Sequence, residues 1–380
     1  MKIVIAPDSF KESMTALEAA NAIERGFRKV FAQADYEKIP MADGGEGTVE
    51  SVIDATDGKL RQIQVHGPLG EEIYASYGIS GDGKLAIIEM AASSGLQLTV
   101  EKNRNPMKTS TIGFGELIND ALDQGVDELL LGIGGSATND AGAGMISSLG
   151  GKLLNKNGKE IHPTGEGLAQ LSKIDLSGLH PRLKDVDIRV ACDVDNPLCG
   201  PQGASYIYGQ QKGGTPEQIE QLDQNLARFA QVLKNQFGRD VMNIPGAGAA
   251  GGLGASLVGL LGASLERGGD LIVDILNLKE KIQEADLVIT GEGGINHQTV
   301  YGKTPIAVSM VAQQYNVPTI AIAGCLKDDY AAIFDKGISA AFSIIQELNP
   351  LEVILNNGEV NLEKVAENIA QVLKIGKRIK

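Results

Sequence analysis

IQVHGPLGEEIYASYGI, residues 63–79, decides how this chain is organised. Ile63 and Val65 alternate with polar neighbours, Gly67-Pro68-Leu69-Gly70 makes a turn, and Ile73, Ala75, Tyr77 and Ile79 alternate again. A period of two on either side of a tight turn is the pattern of an antiparallel hairpin. A further turn, Gly81-Asp82-Gly83, leads into Leu85–Met90. The residues before this stretch obey another rule. Lys2–Ala6 is an apolar run ended by Pro7, which reads as a buried strand. Thr15-Ala16-Leu17-Glu18 is a capping box, and Ala20, Ile23, Phe27, Val30 and Phe31 fall on one helical face behind it. Tyr36–Ile39 reads as a second strand. The glycine loop Asp43-Gly44-Gly45-Glu46-Gly47-Thr48 then opens a helix with Val49, Val52 and Ile53 inward. Strand–helix–strand–helix order implies a parallel sheet.

From residue 270 onward that first rule returns. Leu287–Thr290 reads as a strand followed by a loop, Gly291-Glu292-Gly293-Gly294, and a helix after Pro305. Thr319–Ala323 leads through Gly324 to a helix near Tyr330–Phe334. Ala340–Ile344 leads to a last helix with Leu362, Val365, Ile369, Val372 and Leu373 inward. Between the two stretches lie a helix, Ile112–Asp123, closed by Gly125, and strands Glu128–Ile133 and Asp187–Cys192. Thr215-Pro216-Glu217-Gln218 starts a long helix with Ile219, Leu222, Leu226, Phe229, Ala230 and Leu233 as its apolar stripe. The expected fold class is therefore α/β in two domains. Residues 1–65 and 270–380 form a discontinuous, Rossmann-like, three-layer parallel-sheet domain. Residues 66–269 form an inserted mixed α/β domain, and the active-site cleft lies between the two. Three sequential domains are the alternative, which contacts between 1–65 and 270–380 distinguish.

Composition narrows the function. The 380 residues carry 34 Lys and Arg against 48 Asp and Glu, a net charge of −14, which disfavours nucleic acid as a partner. Hydrophobic residues make up 43%, enough for a large core. The 48 glycines are about twice the usual share of ~7% and point to many tight loops and close backbone approaches. Three cysteines without a CxxC suggest a reducing compartment, and four scattered histidines show no zinc-ligand spacing. The N-terminus turns polar too soon for a signal peptide. Gly246–Leu265 is free of charge, but seven of its twenty residues are Gly. It reads as a glycine-rich loop entering a packed helix, not as a bilayer span. The expectation is a cytoplasmic protein with small-molecule ligands, no membrane partner, and a homo-oligomer left open.

In open parallel sheets, ligands bind beyond the C-terminal strand ends. The segments expected there are Pro7–Ser13, Ala42–Thr48 and Thr290–Thr299, with Gly134–Gly144 and Asp193–Gly203 in the insertion. All five mix Gly, Ser, Thr or Asn with carboxylates. Glycine lets backbone N–H groups approach an anion, whereas carboxylates in the same cleft repel one unless a cation intervenes. That pairing suggests Mg²⁺ with a nucleotide phosphate, and Lys11 and Lys303 are candidate phosphate neutralisers. There is no GxxxxGK[ST], no GxGxxG after the first strand, no protein-kinase signature, no GxSxG and no HExxH. Any one of the glycine loops alone is as well explained by a turn, and any one acid by a helix cap. Cys192, Cys199 and Cys325 read as small buried hydrophobes.

Six ordered motifs give the chain a family likeness over essentially its whole length. They are Ala6-Pro-Asp-Ser-Phe-Lys-Glu-Ser13, Pro40-Met-Ala-Asp-Gly-Gly-Glu-Gly-Thr48, Glu89-Met-Ala-Ala-Ser-Ser-Gly-Leu96, Gly132-Ile-Gly-Gly-Ser-Ala-Thr-Asn-Asp-Ala-Gly142, Cys192-Asp-Val-Asp-Asn-Pro-Leu-Cys-Gly200, and Thr290-Gly-Glu-Gly293 with Gln298-Thr-Val-Tyr-Gly-Lys-Thr-Pro305. On these the chain resembles the type I bacterial glycerate kinases. The resemblance implies ATP- and Mg²⁺-dependent phosphorylation of D-glycerate, 2-phosphoglycerate as the favoured product, and two α/β domains with the active site between them. One segment departs: where the family reads GEGRID-x-QT, this chain has Gly294 for the Arg and Asn296 for the Asp. Kinase action on another small hydroxy acid is one alternative, and a weakened or non-catalytic ligand binder is the other, which Gly294 and Asn296 motivate.

For this reaction, Asp193 is the candidate carboxylate that accepts or orients the hydroxyl proton. Lys11, the second candidate catalytic residue, and Ser9 are assigned to an anionic group, and Asp43 and Glu292 to Mg²⁺. Gly134, Gly135, Ser136, Asn139 and Asp140 are placed around nucleotide phosphates or substrate. Asp8, Gly44, Gly45, Asn196, Gln298 and Lys303 complete the binding set.

Overall fold

The computed structural model describes residues 1–42 and 47–376. Its strands, in chain order, are β1 (Lys2–Pro7), β2 (Asp35–Lys38), β3 (Lys59–His66), β4 (Glu72–Ile79), β5 (Leu85–Glu89), β6 (Glu128–Gly132), β7 (Lys152–Leu154), β8 (Lys173–Asp175), β9 (Asp187–Ala191), β10 (Ser264–Glu266), β11 (Leu287–Ile295), β12 (Thr319–Leu326) and β13 (Ile338–Ser343). The chain divides into two units, Met1–Asp57 with Gly269–Lys380, and Gly58–Gly268.

In the first unit, the apolar N-terminal run has no polar face to offer water, so it is covered on both sides. The sheet order is β13-β12-β11-β1-β2, and every pairing is parallel. Ile3, Ile5, Ile289, Ile320 and Ile322 face helices Ala16–Arg28 and Gly358–Gly376. Ala321, Ala323 and Ile338 face the other way, in a cluster with Ile306 and Ile333. The unit is thus three-layered, with helices on both faces of a parallel sheet. The capping box at Thr15 forms as its sequence requires, with the hydroxyl accepting from Glu18 N and the Glu18 carboxylate accepting from Thr15 N.

The sequence expectation fails at Gly291–Gly294. The strand does not stop at Thr290; β11 runs to Ile295, with Glu292 paired to Ala323 and Gly294 to Cys325. Glycine makes the pairing close rather than ending it. A Cβ on Gly291 would lie 2.0 Å from the Ile322 carbonyl oxygen, and one on Gly324 would lie 2.3 Å from that of Gly293. Glu292 is therefore a strand residue, 7% exposed, and not a loop residue.

Helices Ala16–Arg28 and Gly358–Gly376 meet at Gly26, where a Cβ would sit 2.4 Å from the Glu363 carbonyl oxygen and 2.8 Å from Ala366 Cβ. Gly26→Leu is expected to push the helices apart and lower stability by about 1–3 kcal/mol, read as a shift of the denaturant midpoint. A midpoint unchanged within error would show that the contact is slack.

In the second unit the sheet order is β10-β9-β6-β5-β4-β3. β10, β9, β6 and β5 run parallel, whereas β5-β4 and β4-β3 are antiparallel. The alternation over residues 63–79 is the cause: Val65, Ala75, Tyr77 and Ile79 enter the core cluster, while Gln64, His66, Glu72, Tyr74 and Ser76 are exposed or half-buried. Strands β7 and β8 make a separate antiparallel pair. The segment Gly246–Leu265 forms helix Ala249–Leu261, in which Ala250, Gly251 and Gly252 take left-handed backbone angles. Among the described residues no helix is long and apolar enough to cross a membrane.

Candidate active site

Each unit gathers its polar residues beyond the C-terminal ends of parallel strands. In the first unit β1 and β11 lie side by side, with Pro7 opposite Gly291. The chain leaves β1 into Asp8, whose N–H donates to the Gly291 carbonyl at 2.8 Å. Asp8 Oδ1 accepts from Ser9 N at 2.6 Å, and Oδ2 accepts from the Thr304 hydroxyl at 2.8 Å. One position earlier than Thr304, the Lys303 ammonium lies 3.5 Å from Glu292 Oε2, and Glu292 Oε1 accepts from the Thr299 hydroxyl at 2.7 Å. Two consecutive residues at the start of helix Thr304–Gln314 thus tie two carboxylates from neighbouring strands.

Lys11 is exposed, and its backbone runs past Gly293, whose added Cβ would meet Lys11 N at 3.5 Å. Gln298 is exposed on the short turn His297–Tyr301. Asp43, Gly44 and Gly45 lie outside the described residues. The two family departures also have locations. Asn296 caps the turn, its side-chain oxygen accepting from Gln298 N at 2.8 Å, which Asp would do equally well. Among the described residues a Cβ on Gly294 would find only Cys325 Sγ near, at 3.6 Å, so they leave room for a side chain there.

Among the described residues no three His, Cys, Asp or Glu side chains gather closely enough to enclose a metal alone. Mg²⁺ does not require that: it commonly takes one or two carboxylates and completes its shell with water and phosphate oxygens. Glu292, a hard oxygen donor in the C-terminal half of β11 with a hydroxyl and an ammonium already on it, fits that kind of site.

In the second unit the register sets Gly132 of β6 opposite Ala191 of β9 and Glu89 of β5. The loops that follow these strands therefore leave side by side. The loop after β6 is anchored along most of its length. Leu96 N donates to the Gly135 carbonyl, Ala137 N to that of Ser94, and the Thr109 hydroxyl to that of Ala137. Gly134 and Gly135 are exposed at its tip, and Gly135 has φ +71°. Ser136 is 8% exposed, whereas Thr138, Asn139 and Asp140 have no exposed surface.

Asp140 is the hub of this loop. Its Oδ2 accepts from Thr111 N (2.9 Å), the Thr111 hydroxyl (2.8 Å) and Gly144 N (3.1 Å), and its Oδ1 from Gly142 N (3.1 Å). Burial pushes its carboxyl above the usual range, and those donors pull the other way. Asn139 donates to the Ser205 hydroxyl at 3.1 Å, while its Oδ1 and the Thr138 hydroxyl have no partner among the described residues. Ala141, which follows Asp140, is held at φ +50° by the Gly251 carbonyl, which accepts from its N–H at 3.0 Å. A Cβ on Gly251 would lie 2.1 Å from the Thr138 carbonyl oxygen, so the glycine-rich segment packs backbone to backbone on this loop.

The loop after β9 carries Asp193, which is exposed and accepts from Gly268 N at 3.0 Å. Asn196 is tied down, donating to the Gln202 carbonyl and accepting from the Tyr208 hydroxyl. Its own carbonyl accepts from Gly248 N at 3.0 Å, so the glycine-rich segment touches both loops. Cys192 and Cys199 are pushed up by burial, Cys199 to about 12, which leaves them as inert thiols at neutral pH.

One charged residue here carries no motif. Lys212 is 2% exposed and donates to Ser136 Oγ at 2.8 Å and to the Thr138 carbonyl at 2.7 Å. Its local sequence, Gln210-Gln211-Lys212-Gly213-Gly214, has the look of a solvated turn, and only the tertiary fold buries it.

Comparison with known proteins gives the family. A family model described as the Glycerate kinase family matches residues 3–374. The chain is 54% identical to "Glycerate kinase" of Halalkalibacterium halodurans over 370 residues, 97% of each chain. It is 52% identical to "Glycerate 2-kinase" of Escherichia coli over 378 residues, covering 100% of this chain and 99% of that one. A crystal structure of a candidate glycerate kinase 2 from Salmonella typhimurium LT2 superposes with a TM-score of 0.94 at 50% identity and covers 100% of both chains.

Proposed function

The chain belongs to the glycerate kinase family, and on that premise we propose that it transfers the γ-phosphoryl group of ATP to the 2-hydroxyl of D-glycerate. The observation that carries this reading is the strand register Glu89–Gly132–Ala191. It makes an exposed glycine tip, Gly134–Gly135, and an exposed carboxylate, Asp193, leave neighbouring parallel strands, where an anion holder and a proton acceptor are both needed. The Asp193 carboxylate takes the hydroxyl proton as the new O–P bond forms and the bond to ADP breaks. The Gly134–Asn139 loop holds phosphate or substrate oxygens. Lys11, Ser9, Asp8, Gln298 and Lys303 hold the remaining anionic groups, and Gly44, Gly45 and Asn196 complete the proposed binding set. Mg²⁺, when bound, neutralises triphosphate charge, and Glu292 and Asp43 would hold it. The three free cysteines suit a reducing cytoplasm, which is where we place the protein.

Phosphorus NMR of a reaction containing ATP, Mg²⁺ and D-glycerate tests this directly. A phosphate ester on carbon 2 has one proton on its carbon and gives a doublet. An ester on carbon 3 has two and gives a triplet. A new doublet beside ADP is expected. A triplet overturns the position of transfer, and no ester from D-glycerate overturns the substrate.

A further inference from the structure

The cations that sequence alone singles out, Lys11 and Lys303, both belong to the first unit. The exposed glycine tip of the second unit has a cation of its own behind it. Both direct partners of the Lys212 ammonium, Ser136 Oγ and the Thr138 carbonyl, are neutral, and an ammonium has a third N–H to give. Among the described residues the charge that acts on it is Asp140, whose carboxylate is committed to Thr111, Gly142 and Gly144, and the Arg104 guanidinium donates to the carbonyl of the preceding residue, Gln211, at 3.4 Å. A lysine buried without a directly bonded counter-ion is unfavourable, and burial pulls this one down to about 7, with Asp140 acting in the opposite sense. Ser136, which accepts from it, follows Gly134 and Gly135 directly, and a Cβ on Gly134 would meet nothing within 4 Å.

We infer that Lys212 is a positioning residue, the buried countercharge of an anion seat at the Gly134–Ser136 tip. A carboxylate or phosphate oxygen of a ligand sits on the exposed backbone N–H groups, and Lys212 fixes Ser136 and balances the charge from behind. The anion favours the ammonium form, so its arrival draws a proton from solvent onto Lys212. This rests on the reading that the Gly134–Asn139 loop holds substrate or nucleotide.

Calorimetric titrations of the full chain with D-glycerate and, separately, with Mg²⁺-ATP decide which anion takes the seat. They are run at about pH 8 in two buffers of different ionisation heat, so that proton uptake is read from the difference. The wild type is expected to take up a substantial fraction of one proton with one of the two ligands. Lys212→Met abolishes that uptake and weakens the same ligand by roughly tenfold or more. Gly134→Val tests the loop reading on its own, because it adds bulk at an open tip. Binding weakened by Gly134→Val, with no proton uptake in the wild type, keeps the loop reading and overturns the role of Lys212. Binding of both ligands unaffected by either variant overturns both. Weaker binding in Lys212→Met without wild-type proton uptake leaves a merely structural lysine and also overturns the inference. If Lys212→Met fails to fold, the wild-type proton uptake alone decides: its presence supports the countercharge and its absence overturns it.

Discussion

Asp193→Asn is expected to lower kcat for D-glycerate phosphorylation by about 10²–10⁴-fold and to leave KM within roughly threefold. The substitution is well suited to isolate the proposed proton acceptor. Asparagine keeps the side-chain oxygen that accepts from Gly268 N at 3.0 Å, so the loop after β9 retains its anchor. Asp193 is exposed, so no buried charge is lost and the unfolding midpoint stays where it is. What disappears is the negative charge and, in the proposed role, the capacity to take a proton as the hydroxyl attacks. Because phosphoryl transfer is dominated by positioning and electrostatic stabilisation, some turnover persists. A variant with kcat within threefold of wild type would sink the proposed role and move the search to Asp195, the next exposed carboxylate on that loop.

How much of this was legible beforehand depends on whether a pattern is local. Thr15 and Thr215 announce their helices because a capping box is closed by residues three apart, and both boxes form. The hairpin over residues 63–79 is legible because a period of two is written along the chain. Gly291–Gly294 misleads because glycine marks a close approach as often as a turn. Here the neighbour is the backbone of Ile322, far away in sequence. The interior of the Gly134–Gly142 loop was illegible for a related reason. A loop without a period gives no sign of which residues turn inward, so Asp140 and Asn139 look like equals of Gly134 and Ser136 until burial separates them. Lys212 was illegible altogether, since burying it takes Ser136 and Thr138 from a segment more than seventy residues earlier.

That burial makes Asp140 the stability counterpart of Asp193. Asp140→Ala is expected to destabilise the second unit by about 3 kcal/mol or more, because it strands Thr111 N, Gly142 N and Gly144 N without acceptors and opens a void. Asp140→Asn is the sharper test. Every partner of the carboxylate donates, and Oδ2 alone receives three hydrogens. An amide that presents its NH₂ to Thr111 N and Gly144 N sets donor against donor. Turned over, it sets the NH₂ against Gly142 N instead. Neither orientation satisfies the set, so the near-isosteric change costs about 2 kcal/mol or more. The measurement is the denaturant midpoint of both variants at constant slope, with kcat measured well below the transition. A loss below about 1 kcal/mol in Asp140→Asn would mean that the loop relaxes around the amide and that its conformation is set instead by Lys212 and the Gly251 backbone.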